Sequence, residues 1–372
     1  MRKKIRRMLL IVSCIFLALA LAGALIVNHP VFGRAPRGER LERIRRSPNF
    51  RDGKFQNLQP TPRIVSRKGF VGTMLDFLFN KPPRLYPRTA LPAEKVDLHG
   101  LDRDQEVLVW FGHSSCFIQS GGKRLLVDPV LRSGLPMSLL FKPFRGMDSY
   151  TPEAIPAIDY LLITHDHMDH LDYRTVRELR ERIARVVCPL GVGEHLERWG
   201  YDPACITEMD WDETLDAGDG LTIHCLPARH FSGRGLHPNS TLWASFLLET
   251  PTRRIFLAGD GGYDTHFARI GRRFAPIDLA ILENGQYNPD WRTIHLLPGQ
   301  QAQVIRDLAP GRVLTVHHSK YALSKHPWDE PLKKIAEAAR SEGFRLVTPR
   351  PGERVHLADT TQRFAAWWEN IE

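Results

Sequence analysis

The chain has 372 residues, 42% apolar and 25% charged, which fits one large or two ordinary globular domains and excludes a disordered or fibrous protein. Its net charge of +9 sits at one end: residues 1–90 hold 19 basic and 4 acidic side chains, and residues 91–372 hold 32 and 38. A mildly acidic body argues against a nucleic-acid groove, and five cysteines (Cys14, Cys116, Cys188, Cys205, Cys225) without C-x-x-C spacing exclude a Cys-type zinc site or a disulfide-dense scaffold. Residues 1–8 carry five positive charges and form a basic flank; residues 9–27 follow as 19 residues free of charge, closed by Asn28, His29 and Pro30. A helix of that length rises about 28 Å, enough to span a hydrocarbon core. The expectation is a single-pass anchor in an inner membrane, with a cleaved signal peptide left open by the small residues at 21–24. The leading charges place the body on the periplasmic side, although Arg34, Arg37, Arg40, Arg43, Arg45 and Arg46 nearly balance them.

Residues 28–90 read as a basic linker and capping segment. Within it the apolar stretch Phe70–Phe79 either rests on lipid or covers the core. From residue 91 to 372 the texture is that of one catalytic domain. Short strands are predicted at Val107–Phe111, Cys116–Gln119, Arg124–Val127, Tyr160–Thr164, Leu221–Cys225, Ala244–Leu248, Arg254–Leu257, Leu279–Leu282 and Val313–Val316. Helices are predicted at Tyr173–Ala184, Val192–Trp199, Pro298–Leu308 and Pro331–Ser341. Early paired strands followed by strand–helix alternation describe an α+β protein with two sheets and helices outside them.

The most informative stretch is Thr164-His165-Asp166-His167-Met168-Asp169-His170, which follows the apolar strand ending in Leu161-Leu162-Ile163 and precedes a helix. Three imidazoles and two carboxylates within six residues exceed what packing requires. Imidazole and carboxylate suit zinc or another borderline divalent ion, and a loop at a strand end can turn alternate side chains toward two adjacent metals.

Here the sequence resembles the metallo-β-lactamase superfamily, whose H-x-H-x-D-H signature is matched by His165, His167, Asp169 and His170. The resemblance implies an αββα sandwich with a two-metal site between the sheets, most simply two Zn2+ ions. It implies that His165, His167 and His230 hold one metal, that Asp169, His170 and His317 hold the other, and that Asp260 bridges both. His230, Asp260 and His317 each follow a predicted strand, in the order the family requires. The sequence is most similar to the branch containing N-acylphosphatidylethanolamine-hydrolysing phospholipase D and its bacterial relatives, through Trp110-Phe111-Gly112-His113-Ser114, Leu126-Val127-Asp128-Pro129, Leu171-Asp172, Pro227-Ala228-Arg229-His230-Phe231-Ser232 and Gly259-Asp260-Gly261-Gly262-Tyr263. Two departures stand out. The phospholipase pattern after the last histidine is Trp-Gly, where this chain has His318-Ser319, and Leu282–Asn288 looks more like a bacterial subgroup of undefined substrate.

Outside the ligands, Asp128 reads as a carboxylate that orients a metal ligand or as a turn residue before Pro129. His113 fits the surroundings of a ligand or a core position. His295 reads as a pocket residue able to protonate a leaving group or as a plain helix-start residue, and His318 and Lys320, beside a ligand, read as phosphate contacts or surface residues. Two metals about 3.5–4 Å apart can activate a shared solvent-derived hydroxide, and no G-x-S-x-G motif offers a covalent nucleophile. The catalytic set expected on this basis is Asp169, Asp260 and His295. His167 stands where the di-iron oxygen-reducing relatives usually carry Glu. The function implied is a membrane-anchored zinc phosphodiesterase acting on a phospholipid or another phosphodiester, with no nucleic acid as partner. The alternatives are a same-fold hydrolase of a soluble lactone or sugar phosphate, and a non-catalytic metal-binding membrane protein.

Overall fold

The computed structural model describes residues 2–134, 137–235 and 237–371. The chain opens with α1 (Arg2–Val27), α2 (Gly38–Arg46), a hairpin of β1 (Phe50–Arg51) and β2 (Lys54–Phe55), and α3 (Gly69–Phe79). Then come β3 (Val107–Trp110), β4 (Cys116–Ser120), β5 (Lys123–Val127), α4 (Met137–Leu140), β6 (Ile158–Leu162), α5 (Tyr173–Leu179), β7 (Ile183–Pro189), α6 (Gly193–Arg198) and β8 (Ile206–Met209). The second half holds β9 (Thr214–Asp216), β10 (Thr222–Leu226), β11 (Ser245–Glu249), β12 (Arg254–Leu257), α7 (His266–Phe274), β13 (Leu279–Glu283), α8 (Pro298–Leu308), β14 (Arg312–Val316), α9 (Glu330–Glu342), β15 (Leu346–Val347) and β16 (Arg354–His356).

Two seven-stranded sheets result, ordered β16-β3-β4-β5-β6-β7-β8 and β15-β14-β13-β12-β11-β10-β9. In each, hairpin-linked antiparallel strands give way to parallel ones, at β5–β6 in the first and β12–β13 in the second. Period-two alternation sets the layers. In β5, Leu125 and Val127 join Ile118, Leu162, Phe246, Leu257 and Ile281 in a core between the sheets. Leu126 points the other way, into a layer with Val176, Leu179 and Leu196 of α5 and α6. On the second sheet Phe256, Ala280 and Val313 pack outward against α7, α8 and α9 through Phe267, Ile270, Val304 and Ile335. The order is therefore helix, sheet, sheet, helix, the expected αββα sandwich.

Several elements differ from expectation. The helix predicted at Tyr173–Ala184 ends at Leu179, passes through a 3-10 turn and becomes strand β7. Val186, Val187 and Cys188 of that strand are all buried, so it shows no alternation. Helix α7 was missed although Phe267, Ile270, Gly271 and Phe274 have helical spacing. The segment read as a linker is instead docked along the body. Ile44 and Phe55 are fully buried, and the Arg40 guanidinium is fixed by Glu194, Glu197 and Glu208 at 2.6, 2.5 and 2.6 Å. Helix α2 thus owes its place to carboxylates more than 150 residues away. Helix α1 is long and apolar enough to cross a membrane, and its apolar stretch is not buried against the body.

Arg40→Ala should cost about 1–3 kcal/mol of unfolding free energy, because Glu208 would lose its one cationic partner and keep only the Gly191 and Gly193 N–H groups, while Glu194 would still hold Arg34. Denaturant melts in detergent read this directly, and an unchanged midpoint would show that α2 is not held by these pairs.

Candidate metal centre

The site lies where both sheets end. His165 follows β6, His230 follows β10, Asp260 follows β12 and His317 follows β14, so the carboxyl ends of four strands deliver side chains to one point. His165 Nε2 is 2.9 Å from His167 Nδ1, and His230 Nε2 is 3.2 Å from the same atom. Asp260 Oδ2 lies 3.2 Å from His170 Nε2, 3.1 Å from His317 Nε2 and 3.9 Å from His230 Nε2. Asp169 Oδ2 lies 3.5 Å from His317 Nε2 and 3.8 Å from His170 Nε2. The seven expected ligands therefore converge as a three-histidine group, His165, His167 and His230, and a neighbouring group of Asp169, His170 and His317, with Asp260 within reach of both.

Three of the ligand rings have a partner on the outer nitrogen that turns the inner one toward the centre. His170 Nδ1 donates to Asp128 at 2.8 Å, His230 Nδ1 donates to the Ile294 carbonyl at 2.9 Å, and His165 Nδ1 sits 3.0 Å from the Thr164 hydroxyl. Asp128 also accepts from the Thr164 backbone and hydroxyl at 2.8 and 2.6 Å, so its role is to hold the strand end and His170 together. His113 stands behind Asp169, donating to its Oδ2 at 2.9 Å. Backbone bonds lock this arrangement: His113 N–H donates to the His318 carbonyl and His317 N–H to the His113 carbonyl, both at 2.9 Å. Gly259 has φ +62°, and a Cβ there would lie 2.8 Å from the Ala244 carbonyl. At Gly262 a Cβ would lie 2.2 Å from the Thr293 carbonyl. The Gly-Asp-Gly-Gly motif thus lets the Asp260 loop press against the backbone that carries His295.

The inward atoms fit a cation. His170 Nε2, His317 Nε2 and Asp260 Oδ1 are buried without a hydrogen-bond partner among the described residues, an arrangement that costs free energy unless a cation satisfies it. Burial raises the Asp260 carboxyl, but His170 and His317 outweigh it and hold the group well below the usual carboxylate range. Burial and neighbouring imidazoles keep His165 and His230 well below the ordinary imidazole pKa, and burial takes His167 down to about 4. Neutral imidazoles and ionised carboxylates are the forms that ligate metals. His170 is the exception, since Asp260 and Asp169 outweigh burial and hold its ring well above the ordinary imidazole value, so a cation there would take the place of its proton.

The pocket residues divide. His295 lines the site, its ring stacked on His317 with centroids 5.2 Å apart, and its Nδ1 donates to Glu283 at 2.6 Å. His318 and Lys320 are corrected: neither faces the pocket. His318 is fully buried against Trp110 and bonds Ser319 and the Thr315 carbonyl, while Lys320 donates to the Val130 carbonyl at 2.7 Å. Positive φ at His317 (67°) and Ser319 (60°) turns the chain so that neighbours of a ligand face away from it. Two residues were missed. Glu283, 1% exposed at the end of β13, joins His295 to His317 and also accepts from the Leu296 backbone at 2.5 Å. Asp166, between two ligands, faces away from the centre, accepting from Gly233 N–H at 2.7 Å and the Thr241 hydroxyl at 2.9 Å and lying 3.2 Å from His195 Nε2.

Comparison with known proteins agrees with this geometry. Residues 123–318 match the family described as Beta-lactamase superfamily domain. An uncharacterized protein of Mycobacterium tuberculosis is 36% identical over 327 residues, covering 87% of each chain. The N-acyl-phosphatidylethanolamine-hydrolyzing phospholipase D 1 of Caenorhabditis elegans is 29% identical over 246 residues, covering 61% of this chain and 68% of that protein. Among solved structures, CmlA, a diiron beta-hydroxylase from Streptomyces venezuelae, superposes with a TM-score of 0.52 at 22% identity over 68% of this chain. The match spans about half (54%) of CmlA and shows a shared fold alone.

Asp166 carries a prediction that needs no metal. Burial raises its carboxyl, but the bond to His195, the field of His167 and the Gly233 N–H hold it below the usual range. Its stabilisation is therefore complete above the unfolded carboxylate pKa of about 3.9 and is lost as pH falls toward the lowered folded value. Asp166→Asn should destabilise the protein by about 2 kcal/mol at neutral pH and flatten the loss of stability below pH about 4. Denaturant melts across that range check it, and parallel pH curves for both proteins would contradict it.

Proposed function

The chain belongs to the beta-lactamase superfamily and is a metal-dependent hydrolase of the metallo-β-lactamase fold, and from that premise we propose that it is a zinc-dependent phosphodiesterase cleaving a phospholipid at a membrane. The observation that carries this reading is the cavity above the metal centre. It holds about 860 Å³, and its floor is His167, Asp169, Asp260, His295 and His317. Its walls are Ile64, Phe70, Met74, Phe77, Phe141 and Trp291, a lining that suits acyl chains and gives a small sugar phosphate little to bond. Arg63 and Lys81 enter the same space over the ring faces of Phe231 and Phe77, at 4.5 and 4.0 Å. They offer positive charge to a phosphodiester whose tails occupy the apolar walls. Support for the substrate class also comes from the similarity to the nematode phospholipase D.

On this reading His165, His167 and His230 would hold one ion and Asp169, His170 and His317 the other, with Asp260 placed to serve either. When bound, two divalent ions there supply Lewis acidity toward a phosphoryl oxygen and lower the pKa of water. The protein's own residues do the rest. Asp128 and His113 keep His170 and Asp169 in place. Burial lowers the pKa of the His295 ring, but the Glu283 carboxylate at Nδ1 outweighs it and raises the ring above the ordinary imidazole value. As the imidazolium it therefore also carries on Nε2 the proton that a departing alkoxide needs. The apolar walls exclude water from the reacting group. Residues 9–27 serve as the anchor in the inner membrane, 28–90 as a belt and cap, and 91–372 as the hydrolase domain, held on the periplasmic side.

Two outcomes follow. Asp260→Ala should keep the fold, because its partners are other site residues, yet lose at least one of about two bound metals and nearly all turnover. Elemental analysis with activity reads this, and full metal content at near-normal rate would remove Asp260 from the centre. On a substrate panel the purified protein should hydrolyse long-chain phosphodiesters in a chelator-sensitive way; cleavage confined to lactones or sugar phosphates would replace the phospholipid reading with the soluble-substrate one.

A further inference from the structure

Helix α3 covers the cavity with one face and leaves the other bare. Thr73 is buried, and Phe70, Met74, Phe77 and Leu78 line the cavity. Val71, Leu75 and Phe79, at i, i+4 and i+8, turn outward with 68%, 51% and 80% of their surface exposed. On the cavity side, Phe141, the residue after α4, packs on Phe77 of α3 with ring centroids 6.3 Å apart. An apolar face of this size on a surface helix marks an interaction site.

We propose that α3 is a second membrane contact: a lip that sinks into an anionic bilayer and opens the cavity onto the acyl chains. The proposal rests on the membrane part of the reading above and not on its chemistry. Charge selects this occupant. Asp76, the sole carboxylate of α3, is turned toward Lys325 at 2.6 Å and Lys68 at 3.1 Å, so the outward face carries no negative group. Residues 61–90 contain six basic side chains and that single acid. An apolar face in a segment with this surplus of positive charge matches acyl chains beneath anionic headgroups. A second copy on the same face would bring two segments of the same net positive charge together, which like-charge repulsion opposes. The Asp76–Lys325 pair also fixes the helix to the body, so the lip and the metal centre keep one relation to each other. A lipid entering between Phe70 and Phe77 would then arrive with its phosphodiester near Arg63 and Lys81.

The test uses the full-length protein in lipid nanodiscs, in a Cys14→Ser, Cys205→Ser background, with a nitroxide on Leu75→Cys or Phe79→Cys. These positions lie outside the cavity lining. Glu337→Cys on α9, exposed and remote, serves as the solvent reference. In nanodiscs containing phosphatidylglycerol, the labels at 75 and 79 should collide with dissolved oxygen and be several-fold less accessible to a water-soluble nickel chelate than the label at 337. Phosphatidylcholine alone should reduce that protection. Labels on α3 as open to nickel as the reference in anionic nanodiscs would overturn the proposal, and so would dipolar broadening between copies, which would give the face to a second protomer. Turnover is not part of the readout, so a protein that inserts its lip yet cleaves no phosphodiester would count against the chemistry alone.

Discussion

Everything in this structure is arranged around one electrostatic problem: several imidazole nitrogens and two carboxylates aimed at each other inside a dry interior. His165 Nε2 and His230 Nε2 each come within about 3 Å of the same His167 nitrogen, where a single proton serves one of the two contacts at the expense of the other and the remaining lone pairs repel. Burial makes the cost larger, since water cannot screen it. A divalent ion removes the conflict by giving every lone pair the same partner, which couples metal occupancy to folding free energy. The outer bonds to Asp128, Ile294 and Thr164 hold the ligands in this unfavourable state in advance, so that binding need not order them.

That problem explains features that look unrelated. A carboxylate or imidazole at the end of a buried strand cannot relax away, because the strand before it is fixed on both faces by the core. Two sheets packed face to face supply several such ends at one edge, and the backbone bonds between His113 and the His317–His318 segment tie one sheet to the other. Glycines appear where loops from different strands must pass within contact of each other's backbone. The left-handed turn at His317 is part of the same device: it lifts one ring into the centre and turns His318 and Lys320 back into the packing.

How much of this the sequence disclosed follows from how local each signal is. The H-x-H-x-D-H loop is contiguous and chemically improbable as packing, so it was legible by itself, whereas His230, Asp260 and His317 were legible only through the family resemblance and their places after predicted strands. Glu283 was not, because it closes an apolar strand, Leu279–Leu282, and reads as the polar residue that ends it. The signal available was positional: it ends β13 as Asp260 follows β12. Asp166 was hidden by its neighbours, since a carboxylate between two ligands invites the same role although alternate side chains face opposite ways. Adjacency likewise promoted His318 and Lys320, which the reversed backbone removes. Strand β7 was lost because a strand covered on both faces has no alternation, and α2 because nothing in an arginine-rich helix announces glutamates far along the chain.

The belt formed by residues 28–68 has a further consequence for how an apolar N-terminal helix and a metal centre share one molecule. After α1, the Pro30 carbonyl accepts from Trp199 Nε1, and the Val31 carbonyl accepts from Arg234, which also donates to the Asp166 and Leu171 carbonyls. At Gly33 the chain passes so close that a Cβ would lie 2.0 Å from His195 Nδ1, and the next N–H, that of Arg34, donates to the same nitrogen at 3.0 Å. His195 faces Asp166, and Asp166 sits between His165 and His167. The end of the helix is therefore joined to the ligand loop through a few buried hydrogen bonds, without a free tether. A body held this tightly has few orientations relative to α1. A hydrolase that draws substrate from a lipid surface needs such a limit, because a cavity that faces away from its substrate gains nothing from being anchored nearby.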